Sequence, residues 1–180
     1  MTHGTSSDAY GRVAIGIHWL TAVLIIGLMA SGILAENSTD ETLKAAVLRL
    51  HAPMGIAILL LTLLRIAWWW RFDTRPGPLG TNPAWQEFLA KAVHLLLYVV
   101  MIGMAASGIG MFVLSGAGDI LFAGAPGPLP DFATFAPRTP HGIGAKLMIA
   151  LLAIHAGAAL YHHFIRRDAT LKRMWFAASK

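Results

Sequence analysis

Eight histidines and no cysteine stand in a chain that is 56% hydrophobic and only 13% charged. Five of them, His18, His51, His94, His141 and His155, lie inside long apolar runs or at their edges. Ionisable side chains are expensive at membrane depth and are kept there for function. No Asp or Glu lies within the same runs, so the available ligand set is imidazole alone. That composition argues against a zinc or carboxylate di-iron site and fits bis-imidazole ligation of haem. The missing cysteines also remove disulfides, Cys-ligated iron–sulfur clusters, Cys-attached haem and thiol nucleophiles.

Spacing sharpens the reading. His141 and His155 are fourteen residues apart on one apolar run. On a helix that offset leaves them about 40° apart around the axis and roughly 21 Å apart along it. One helix face can therefore present a ligand near each membrane surface. His51 shares a level with His141, and His18 shares a level with His155. Two stacked pairs follow, and from them two stacked haems. A lone membrane histidine more often bonds a neighbouring helix than a metal, but four at two matched depths do not fit that pattern. His94 lies level with the second pair; it competes with His18 as a ligand, bonds a haem propionate or lines a substrate site. His162 and His163 fall where the last helix leaves the membrane, either as plain interfacial residues or as a route for protons. Met54, Met101, Met104 and Met148 read as packing residues.

Four helices must position these side chains. Runs at 13–35, 46–69, 89–114 and 142–165 each reach the roughly 20 apolar residues that span a bilayer. The expectation is an all-α integral membrane four-helix bundle forming one domain over residues 1–180. Gly103, Ser107 and Gly110 in the third run leave room for close helix approach or for a flat cofactor. The first run is long and lacks a clear small-residue cleavage site, so it reads as a retained helix, not a signal peptide.

The formal charge of +5 does not indicate nucleic acid, because the basic residues gather at the ends of apolar runs. Arg12, Arg65, Arg71, Arg75, Lys91, Arg166, Arg167, Lys172, Arg173 and Lys180 fall on one side, and only Lys44, Arg49, Arg138 and Lys146 on the other. By the positive-inside rule both termini are cytoplasmic, with Trp68, Trp69 and Trp70 in an interfacial belt. The connection at 75–83 is rich in turn residues. The longer one at 115–140, with Phe122, Phe132 and Phe135, is expected to lie over the outer end of the bundle. No internal repeat or low-complexity tract is evident.

The chain resembles the small bacterial cytochrome b561 family, including its superoxide oxidase type. The match runs from about Tyr10 to Met174. It is carried by Ile17-His18-Trp19, His51 with Gly55, His94 with Leu97-Tyr98, and then His141 and His155. Most specific is the tail, with Ala158-Ala159-Leu160-Tyr161-His162-His163-Phe164 and Asp168-Ala169-Thr170-Leu171-Lys172-Arg173-Met174. The 115–140 connection departs from the family pattern in its richness in Gly and Pro. The resemblance implies two haem b groups, an inner one on His18 and His155 and an outer one on His51 and His141. It further implies a multi-pass protein of the bacterial inner membrane, in contact with lipid, that oxidises periplasmic superoxide and reduces ubiquinone. Arg49 and Arg138, beside the outer ligands, then suit an anionic donor, and His162, with Trp19 nearby, suits proton delivery to quinone. The alternative is an anchor subunit exchanging electrons between quinone and a partner dehydrogenase or hydrogenase. A non-redox bundle would hold no haem.

Overall fold

A computed structural model describes residues 9–72, 76–77 and 82–175. Arg75, Lys180 and His3 lie outside the described residues. Among the described residues the chain is helical throughout, without strands: α1 (Arg12–Asn37), α2 (Glu41–Arg71), α3 (Ala84–Ser115), the short α4 (Ala117–Phe122) and α5 (Arg138–Tyr161). A π-helical turn, His162–Arg166, prolongs α5, and short 3-10 turns occur at Phe132–Thr134 and Lys172–Met174. Four helices, counting α5 with its π turn, are long and apolar enough to cross a membrane.

Every long helix begins before its apolar run, and α1, α2 and α3 also end beyond theirs. Asp40 opens α2 by accepting from the backbone N–H of Thr42 (2.8 Å) and Leu43 (3.2 Å). Proline immediately precedes α3 (Pro83) and α5 (Pro137). At φ 68° Gly116 ends α3 and starts α4, a left-handed conformation that costs glycine nothing. The last span differs most from expectation: regular α geometry starts at Arg138 and gives way to the π turn at His162, not at Ile165.

α1 packs along α2, α3 along α5, and α2 joins the two hairpins by packing on α3. Ile25, Ile58, Leu97, Met101, Met148 and Leu151 form the buried centre between them. Met101 and Met148 thus pack as expected. The chain ends meet at one end of the bundle, where the Tyr10 N–H donates to the Arg173 carbonyl (3.2 Å) and the Trp19 indole N–H to the Met174 carbonyl (2.8 Å). This is the terminal end. The opposite loop end carries α4, tied to α2 by the Arg49 Nε donating to the Leu121 carbonyl (2.8 Å). The long connection therefore does lie over the bundle.

The hairpins also correct the reading that no internal repeat is present. Gly27-Leu28-Met29-Ala30-Ser31-Gly32-Ile33 in α1 matches Gly103-Met104-Ala105-Ala106-Ser107-Gly108-Ile109 in α3, and His18 stands to the first as His94 to the second. On the partner helices, Arg65 lies fourteen residues after His51, and His155 fourteen after His141. A seven-residue match interrupted by ordinary apolar residues is easy to overlook until packing aligns the two helices.

Candidate functional site

At the loop end, His51 of α2 and His141 of α5 face each other with ring centres 6.3 Å apart and planes at 62°. At the terminal end, His18 of α1 and His155 of α5 stand 6.1 Å apart, also at 62°. Two imidazoles each about 2 Å from a shared metal have ring centres about 6 Å apart, so both pairs fit a bis-imidazole haem. The His94 ring lies 5.1 Å from that of His155, about 1 Å too close for a metal between them. All four paired histidines are half-buried. Among the described residues no three His, Asp or Glu side chains gather as a bare metal-ion site.

The loop-end pair opens into a cavity of about 850 Å³ whose walls include both histidines, Gly32, Gly108, Met104 and Phe122. Its volume lies in the range of cofactor sites. Each hairpin builds half of this pocket in the same way. Ser31 Oγ lies 2.9 Å from His51 Nδ1, and Ser107 Oγ lies 3.0 Å from His141 Nδ1. The neighbouring glycines make room for the rings. A Cβ on Gly32 would sit 3.3 Å from His51 Cε1, and one on Gly108 would sit 3.4 Å from His141 Cε1.

Charge is arranged differently at the two ends. At the loop end Lys44, Lys146, Arg138, Glu36 and Asp131 line the cavity, and Arg138 is paired with Glu36. Arg49 is not among the lining residues; its guanidinium holds α4 instead. At the terminal end Arg65 Nη1 donates to His18 Nδ1 (3.1 Å), and its guanidinium lies over the Trp69 ring at 4.6 Å. A permanent cation thus sits directly against one histidine of this pair.

Beyond α5 the π turn brings His162 against Asp168. His162 Nδ1 donates to the Asp168 carboxylate (2.5 Å), whose other oxygen accepts from the Thr170 N–H (2.9 Å). Partial burial by itself raises the Asp168 carboxyl, but the bonds from His162 and Thr170 outweigh it and hold the group at about 2, below its ordinary 3.8. Trp19, whose ring meets that of Trp175 at 5.5 Å, is pinned by this tail and flanks His18.

Sequence reasoning places His18, His51, His141, His155, Arg138 and His162 at the ends where the structure has them. It overlooks Ser31, Gly32 and Gly108, counts Arg65 only as a topology marker and Ser107 only as a small residue, and gives Asp168 no role. The duplicated Ala-Ser-Gly-Ile is the signal that would have found the first group.

Comparison with known proteins gives a consistent result. The prokaryotic cytochrome b561 family profile matches residues 9–177. The chain is 29% identical to cytochrome b561 homolog 2 of Escherichia coli, over 97% of this chain and 95% of that protein. It is 31% identical to a probable superoxide oxidase CybB of Yersinia pestis, over 92% and 94%. A cytochrome b562 of Cereibacter sphaeroides is 29% identical, over 94% and 97%.

Proposed function

This chain belongs to the prokaryotic cytochrome b561 family of haem b membrane proteins that transfer electrons, and on that footing we propose that it is a di-haem superoxide:quinone oxidoreductase of the bacterial inner membrane. It is a single domain crossing the bilayer four times with both termini cytoplasmic, an orientation supported by the excess of Lys and Arg at the terminal end. The observation that carries the reading is the pair of histidine pairs, equal in angle and within 0.2 Å in separation (6.1 and 6.3 Å), at opposite ends of the bundle.

His51 and His141 hold one group, and His18 and His155 the other. When bound, a b-type haem between two imidazoles supplies a one-electron couple. Lys44, Lys146 and Arg138 give the loop-end cavity a net positive rim that draws in a small anion, and Glu36 and Asp131 moderate it. Arg49 contributes by fixing α4 over that end. Two superoxide anions give two molecules of oxygen and two electrons. Those electrons and two cytoplasmic protons convert ubiquinone to ubiquinol. At the terminal end His162, oriented by ionised Asp168, sits at the membrane edge to relay protons from water toward the quinone. The relative named a probable superoxide oxidase supports the donor assignment.

Stopped-flow mixing of the purified chain with superoxide tests this. The second-order rate of reduction should fall as salt rises, because screening tightens with ionic strength. In Arg138→Glu it should fall further at low salt, by roughly tenfold. A rate indifferent to both, or no reaction at all, would point to an anchor subunit fed by a partner oxidoreductase.

A further inference from the structure

The loop-end histidines are bonded in a way that fixes which ring nitrogen carries the proton. Ser31 Oγ donates to the Leu28 carbonyl (3.1 Å), and Ser107 Oγ donates to the Met104 carbonyl (3.0 Å). A hydroxyl has one proton to give, and in each serine the carbonyl one turn back in its own helix takes it. Towards the histidine each Oγ can therefore only accept. In that arrangement His51 Nδ1 and His141 Nδ1 are the donors. A second acceptor confirms this for His141, whose Nδ1 also lies 3.1 Å from the Met104 carbonyl oxygen. With Nδ1 protonated, the lone pair of a neutral imidazole is on Nε2.

We propose that Ser31 and Ser107 are positioning residues that lock His51 and His141 as Nδ1–H tautomers and set the electron affinity of the group they hold. An acceptor on Nδ1–H makes the ring a stronger donor to metal, and removing such a partner typically weakens metal binding by 10–100-fold. A more basic ligand favours the oxidised metal, so the serines lower the loop-end potential. At the terminal end the contact is of the opposite kind: Arg65 Nη1 can only donate to His18 Nδ1, a bond the ring must give up to bind a metal through Nε2. The two serines are also unequal. Among the described residues Ser31 is the partner of His51 Nδ1, whereas His141 keeps the Met104 carbonyl if Ser107 is lost.

The proposal rests on the ligand assignment above, and its test separates the two. Redox titration followed by haem absorbance is applied to the purified holoprotein, its Ser31→Ala, Ser31→Thr and Ser107→Ala variants, and a His51→Ala control that identifies the loop-end signal. Ser31→Ala should raise the loop-end midpoint by about 59 mV, the one-electron equivalent of a tenfold change. Ser107→Ala should raise it less, Ser31→Thr should restore it, and the other midpoint should stay put throughout. An unchanged loop-end midpoint in Ser31→Ala, or equal shifts at both ends, would overturn the proposal. If His51→Ala removes no haem, it is the ligand assignment that fails.

Discussion

At the loop end, α1 and α3 each offer a Ser-Gly pair to a histidine of the helix packed along it: Ser31-Gly32 to His51 of α2, and Ser107-Gly108 to His141 of α5. At the terminal end the same two hairpins place His18 against Arg65 and His94 against His155. Arg65 occupies in the first hairpin the register that His155 occupies in the second. One end therefore cradles its two histidine rings near-symmetrically between Ser-Gly pairs. The other is a broken version of it, with a permanent cation where symmetry would put a histidine. The lesson concerns electron flow. A cation held directly against a ligand stabilises the state that carries the extra electron, so under the proposed ligation Arg65 favours the terminal end as acceptor and the loop end as donor.

The largest expected effect breaks the symmetry between His18 and His94. His18→Ala should cost one haem per chain, because only its ring stands across from His155 at a ligating distance, whereas His94→Ala should cost none. Haem assay of both variants decides it, and loss in His94→Ala alone would reverse the assignment. Next is Arg65→Leu. Removing a unit charge this close is worth on the order of 2 kcal/mol at an effective dielectric of about 20, about a thirtyfold change in the reduced-to-oxidised ratio. The terminal-end midpoint should fall accordingly, while the loop-end midpoint holds. A smaller effect is expected from His162→Ala, a severalfold slowing of quinone reduction with both haem spectra intact.

The smallest concerns Asp168. Its depressed carboxyl contributes stability that is fully present above the ordinary pKa of 3.8 and is lost as pH falls through about 2. Asp168→Asn should therefore speed proteolysis of the C-terminal tail at neutral pH. The difference from wild type should narrow below pH 3.8 and vanish near 2.

Most of the fold was legible because lipid imposes it. A backbone in hydrocarbon must satisfy its own hydrogen bonds, so four apolar runs became four helices. Depth alone then paired His51 with His141 and His18 with His155 at the levels where their rings meet. The helix ends were not legible, since Asp40, Pro83 and Pro137 set them outside the apolar runs that hydropathy detects. Nor was the partnering of charges. Arg138 and Arg49 both stand near the loop-end histidines in sequence, yet Glu36, a hundred residues away, takes the first and the Leu121 carbonyl the second. Spacing within one helix reveals depth and face; it does not reveal which side chain from another helix arrives there. Arg65 shows the same limit, since its meaning depends on His18 of a different helix.

Haem content per chain, compared between the wild type and a His51→Ala/His141→Ala double variant, bears most directly on the two separate imidazole pairs. Two haems in the wild type and one in the double variant, with the remaining spectrum and midpoint unchanged, is the expected result. A wild type holding a single haem, or a double variant that keeps both haems or loses both, would contradict it.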